Sequence, residues 1–221
     1  MTMIHYLPRE CPKCGDIFSI PSLLSTNNMG GRTLWTDGHV TRGDPLNVFP
    51  VVACPTCRKI LWTEELLNDP KPEDEYIDYD ETYPQPLPPT TDEYFEYGSR
   101  TDINAQQELL ARVLGWHSAN DPRREDIDNR EMQLKENAKE NLRILETILP
   151  VESLYDHMLM AEVKRELSDF SGALEVVDQS FDISDEPLPI YTQGLGLIMI
   201  MAEQKDYNVF RINKNPFASW D

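Results

Sequence analysis

The sequence predicts a multi-domain chain: a small β module, an acidic tether, and an all-α domain built of helical hairpins. Three observations predict it. All four cysteines of the 221 residues fall in two matching steps, "CPKCGD" from Cys11 and "CPTCRK" from Cys54, each leading into short apolar runs. A stretch with six prolines and dense acids follows. Beyond it the apolar spacing changes to a helical period.

Charge divides the chain in the same way. Residues 1–66 carry 6 Lys/Arg and 6 Asp/Glu, residues 67–102 carry 2 against 11, and residues 103–221 carry 12 against 22. The total of −19 repels phosphate backbones, so free nucleic acid is a disfavoured partner. The opening "MTMIHYLPRE" has no basic start with a long apolar run. The most apolar stretch, "LGLIMIMA", falls far short of the roughly 20 residues that cross a bilayer. The expectation is a cytoplasmic chain with no membrane segment, its thiols reduced.

Within residues 1–66, "GRTLWTDGHVTRG" sets Asp37-Gly38 between two β-prone runs, which predicts a tight hairpin. "NVFPVVAC" and "KILWTE" read as further short strands. Residues 67–102 read as an extended Pro-rich linker, although "EYIDYDETY" and "DEYFEY" interleave aromatics with acids in a way that suits docking along a surface. In 103–221, helices are predicted at 103–114, 124–149, 153–167, 171–181 and 190–203, with a short helical tail from Tyr207; Pro150, Pro187 and Pro189 punctuate them.

A Cys-x-x-Cys step lets two thiolates from one turn reach the same ion, and two steps supply four ligands for a tetrahedral zinc. Cys11, Cys14, Cys54 and Cys57 are therefore the predicted metal ligands, and Gly15 lets the backbone fold back beneath the metal. A rubredoxin-type iron centre would use similar steps, so iron stays open beside Zn2+. A thioredoxin-like redox pair lacks its βαβ setting. Four thiolates close the shell, which makes the site structural rather than catalytic. A module of this size needs the metal to fold, with Trp35, Phe49, Val51, Leu61 and Trp62 as its expected core.

The paired knuckles resemble zinc-ribbon proteins over about residues 6–65. The 39 residues between Cys14 and Cys54 exceed a compact ribbon, and the Asp37-Gly38 hairpin reads as an insertion between the knuckles. In the helical part, Asp169-Phe170 and Asp206-Tyr207 recur 37 residues apart, a solenoid-like period. Ser168-Asp169-Phe170 with Ala173, and Ala161 in the helix before, resemble a tetratricopeptide repeat over 154–185. Ala138, Leu142, Leu145 and Pro150 look like part of an earlier degenerate copy, and Phe210 replaces the small residue in the last. A helical bundle of another kind is the alternative. Ribbon plus repeat is similar to uncharacterised bacterial proteins carrying both elements, and that resemblance implies architecture alone.

No phosphate loop, nucleophile elbow or His-Glu-x-x-His pair is present, and Gly194-x-Gly196 falls in an apolar helix where glycine permits close packing. His39 reads as a surface or capping residue, and His117 and His157 as surface or interhelix residues. The expected role is non-enzymatic: a zinc-binding adaptor whose helices present a surface to another protein, around His157, Glu162, Lys164 and Arg165. The alternative is a nucleic-acid or transcription-associated ribbon, for which Arg9, Lys13, Arg32, Arg42, Arg58 and Lys59 would have to form one patch.

Overall fold

The computed structural model describes residues 3–25, 32–42, 50–68, 83–125, 133–180 and 189–212. In chain order its elements are β1 (Met3–Glu10), β2 (Ile17–Ser25), β3 (Arg32–Trp35), β4 (Val40–Arg42), β5 (Val51–Ala53), β6 (Ile60–Trp62), α1 (Thr63–Asn68), α2 (Thr91–Gly98), α3 (Ala105–Glu125), α4 (Glu136–Ile148), α5 (Leu154–Glu166), α6 (Phe170–Ser180), α7 (Pro189–Glu203) and β7 (Arg211–Ile212). They pack as two units, each visited twice by the chain. The first is drawn from Met1–Gly31 and Gly43–Tyr97, the second from Arg32–Arg42 and Gly98–Asp221.

The first unit holds two antiparallel hairpins, β1–β2 and β5–β6. Their β-branched and aromatic residues suit a pleated, half-buried surface. Phe18, Ile20, Val52 and Leu61 form its core together with Cys11 and Cys54. A strap, residues 83–90, crosses both hairpins: Ser19 N donates to Pro84 O (3.0 Å), while Ala53 and Leu87 exchange backbone bonds of 2.8 and 3.0 Å. Thr90 and Glu93 then cap α2 reciprocally, Thr90 N donating to Glu93 Oε2 (2.7 Å) and Glu93 N to Thr90 Oγ1 (3.3 Å). Tyr94 and Tyr97 are buried, and Trp62 Nε1 donates to the Tyr97 hydroxyl at 2.6 Å. The tether expected over 67–102 therefore does not run through 83–98. Two turns of helix with two buried aromatics are too short a signal to stand out among so many acids. Residues 69–82, with most of "EYIDYDETY", lie outside the described residues, as does Phe49.

In the second unit α3 packs on α4, α4 on α5, and α5, α6 and α7 on one another. The helix expected over 124–149 is instead the end of α3 and the whole of α4; α3 continues through Pro122, because Asn120, Arg123 and Arg124 are fixed by buried partners described below. Ser153 and Asp156 form a capping box that starts α5. α5 ends with Ser168 at φ 66°, Ser168 N donating to Arg165 O and Asp169 N to Lys164 O, a Schellman turn. Asp169 Oδ1 then accepts from Gly172 N at 3.0 Å and starts α6. Ala161 and Ala173 are fully buried in these two packed helices.

The end of α7 repeats the turn. Lys205 has φ 55°, Lys205 N donates to Ala202 O, and Asp206 N to Met201 O. Here the copies part. The expected helical tail is an extended segment ending in β7, which pairs with β3 through Leu34↔Ile212 and Trp35↔Arg211. The backbone carbonyls of Asp206 and Asn208 accept from Arg165, and that of Tyr207 from Arg123, so a helix has no use of them.

The Asp37-Gly38 hairpin forms as the sequence predicts, with Trp35 N donating to His39 O and Gly38 N to Trp35 O, both at 2.9 Å. It belongs to the helical unit, not to the metal module. Trp35 is buried there, so it is not part of the core around the cysteines. Gly38 has φ 79°, and a side chain on it would meet Leu159 Cδ2 at 2.6 Å and the Tyr155 hydroxyl at 2.8 Å. Gly194 also permits close packing, against Met158 and Ile212; among the described residues nothing stands within 4 Å of a side chain placed on Gly196.

Candidate metal centre

Each Cys-Pro-x-Cys step sits at the tip of one hairpin of the first unit, Cys11 and Cys14 between β1 and β2, Cys54 and Cys57 between β5 and β6. The two tips repeat one another bond for bond. Cys11 N donates to Asp16 O as Cys54 N does to Lys59 O, and Gly15 N donates to Cys11 O as Arg58 N does to Cys54 O. The residue after the second cysteine is left-handed in both, Gly15 at φ 78° and Arg58 at 58°. Glycine takes that conformation freely; arginine does not. Arg58 is held by Glu93 of α2, its Nε and Nη2 donating to the carboxylate at 2.8 and 2.5 Å.

This geometry brings all four sulfurs together. Cys11 Sγ lies 3.7 Å from Cys57 Sγ, Cys14 Sγ lies 3.7 Å from Cys54 Sγ, and all four sulfurs fall within 4.8 Å of one another. Sulfurs about 2.3 Å from a shared ion at tetrahedral corners stand about 3.8 Å apart, whereas a disulfide would bring them to about 2.05 Å. The four residues fit one metal ion, with Cys11 and Cys54 buried, Cys57 partly so and Cys14 at the surface.

Four thiols this close cannot ionise together without a cation. The Asp16 backbone bond favours the Cys14 thiolate, but desolvation and the other three thiols hold its pKa at about 12. The Lys59 backbone bond, joined by the neighbouring thiols, brings Cys57 down to about 7. Burial pushes Cys54 up. A divalent ion would displace these protons and carry the charge of the thiolates.

The sequence reading missed Glu93, whose only signal is the Thr-x-x-Glu capping pattern. It also missed a buried ionic network in the second unit. Asp37, at the hairpin tip, is fully buried and pairs with Arg124; Asn120 Nδ2 donates to it at 3.0 Å, and Asp37 O is 2.9 Å from His117 Nε2. Glu166 accepts from Arg123 (2.8 Å), Trp116 and Asn120 (3.0 Å each). Glu162 accepts from Arg165 and from Thr36. Burial pushes Asp37 up, but Arg124, His117 and the bonds from Asn120 and His39 N together outweigh it and hold the carboxyl below its usual range. Burial, reinforced by Glu162 and Asp37 against the pull of Arg123, raises Glu166 to about 7.

The network corrects the expected surface. His157, Glu162 and Arg165 are buried, and Lys164 is paired with Glu146 at 2.5 Å, so these residues do not form a presenting face. His39 is half-buried, its ring 5.1 Å from that of His117. The six basic residues are divided between the two units. Arg32 and Arg42 belong to the second unit; in the first, Arg9 is buried with its guanidinium on Leu66 O, and Arg58 is paired with Glu93.

No protein-family model, curated protein or solved structure matches this chain.

Proposed function

We propose that this is a zinc-binding adaptor. In this reading the four-cysteine site is structural and ribbon-like, the α5–α6 hairpin is a tetratricopeptide-like repeat, and the chain joins another protein without catalysing a reaction. The observation that carries the metal half is the pair of 3.7 Å sulfur separations at the tips of two matching hairpins. Four protein ligands leave a tetrahedral ion no open position for substrate or water. The ion fixes two hairpins whose shared apolar core is small, which is what a structural metal does. The repeat reading is supported by the Schellman turn at Ser168 and the buried Ala161 and Ala173.

Elemental analysis of purified protein tests the metal half: one zinc per chain supports it, and iron or no metal overturns it. Affinity purification with the zinc-loaded chain from its native host tests the adaptor half. A protein recovered at fixed stoichiometry supports it; nucleic acid, or nothing, overturns it.

A further inference from the structure

The strap of the first unit reads "YPQPLPP" from Tyr83 to Pro89. Every one of its residues is a proline or precedes one. Proline fixes φ near −65°, and the residue before a proline is driven to extended or polyproline II backbone. The segment has no helix or turn, contains no cis peptide, and is pinned at Pro84 and Leu87 by the two hairpins.

A polyproline II helix turns once in three residues, and burial along the strap follows that period. Pro86 and Pro89 face inward, the first half-buried and the second buried. The two other edges face solvent: Pro84 and Leu87 on one, Gln85 and Pro88 on the next. Leu87 is 43% exposed. The inward prolines and the backbone bonds hold the strap in place. Pro84 and Pro88 also fix the backbone, but the Leu87 side chain has no such duty, and it completes a strip in which three of the four outward positions are apolar.

We propose that this strip is a docking ligand for a partner protein with an aromatic-lined groove of the kind that reads polyproline II helices. Such grooves take residue pairs from two edges of the helix, and they gain from a ligand already held in shape. Pro84-Gln85 and Leu87-Pro88 are two such pairs, three residues apart. This deepens the adaptor half of the proposed function by naming a surface and the partner's chemistry, and does not depend on the helical repeat.

The test titrates the zinc-loaded full chain into purified, isotope-labelled SH3, WW and EVH1 domains and follows their groove aromatics by NMR. At least one domain shifts at its groove, and Leu87→Lys or Pro88→Ala weakens that binding by about tenfold or more. Both side chains are exposed. The Pro88 ring also fixes the local backbone, so Leu87→Lys, which leaves every proline in place, carries the test, and metal content with circular dichroism on the same samples confirms the fold. Pro84→Ala, on the same edge as Leu87, provides a second variant should Leu87→Lys unfold. Silence from all three domain classes, or binding unchanged in the folded variants, overturns the proposal. A metal-free sample would speak against the zinc reading instead, so the two failures are distinct.

Discussion

Gly15 and Arg58 occupy the same left-handed position in the two knuckles, and only Arg58 carries a side chain there. The strain of that backbone is about 1 kcal/mol. The Arg58–Glu93 pair offsets it, and Glu93 also caps α2. Arg58→Gly should therefore lose the pair but relieve the strain, staying within about 1 kcal/mol of the parent. Glu93→Ala loses the pair and the cap with no relief, by about 1–2 kcal/mol. Denaturant unfolding of the first unit checks the order; a more damaging Arg58→Gly would falsify the account.

Asp37 and Arg124 form a second such dependency, deep in the helical unit. Removing one member strands the other in a buried site, at about 3–5 kcal/mol. Asp37→Ala and Arg124→Ala should each lower the midpoint of helical unfolding strongly, and the double variant should lose clearly less than the two losses added. Additive losses in the thermodynamic cycle would show that the pair is not coupled.

Much of this architecture is legible in the sequence, and the misses share a cause. Paired cysteine steps name the four sulfurs because ligand spacing is local. Asp37-Gly38 names its hairpin, and Asp169-Phe170 its turn, for the same reason. What local patterns do not tell is which unit an element joins. The hairpin lies between the knuckles in sequence, yet its tip is buried among α3 and α5 residues such as Arg124 and Leu159. Glu162 and Arg165 read as part of a presenting surface, and Arg123, Arg124 and Glu166 give no signal of their own, because composition does not reveal partners 41 to 126 residues away. The strap reads as a linker because prolines remove helical period, while its two pins to the hairpins are backbone bonds with no sequence signature.

Ala173 is fully buried in α6, packed with α5. Ala173→Leu adds bulk to a contact with no room and should destabilise by about 1–3 kcal/mol. Thermal unfolding followed by circular dichroism reads the loss. An unchanged midpoint would remove the close crossing on which the repeat reading relies.

Metal removal should act on the two units unequally. The first unit's core is built around Cys11 and Cys54, while α3–α7 bury their own apolar residues. Chelation, or Cys54→Ser, should strip hydrogen-exchange protection from Val51–Ala53 and Ile60–Trp62, and leave that of α5 and α6 largely intact. Loss of protection across both units at the same chelator concentration would show that the metal supports the whole chain.

His39 gives the helical unit an acid-sensitive contact. Its pKa is lowered to about 4, chiefly by burial, then by the positive charge of Arg124 and by His117. The unfolded value is about 6.5, so the unfolded state binds the proton more readily. Stability from the neutral ring is present above about 6.5 and is lost as pH falls toward 4. Burial lowers His117 as well, in the same direction. Glu166, raised to about 7, works the opposite way, since protonation favours its buried form. Comparing the parent with His39→Asn cancels Glu166 and isolates the histidine. The parent's advantage over the variant should shrink steadily from pH 6.5 to 4, read by denaturant midpoints at each pH. A difference that stays flat across that range would mean that His39 titrates alike folded and unfolded, and that Arg124 and burial do not act on it.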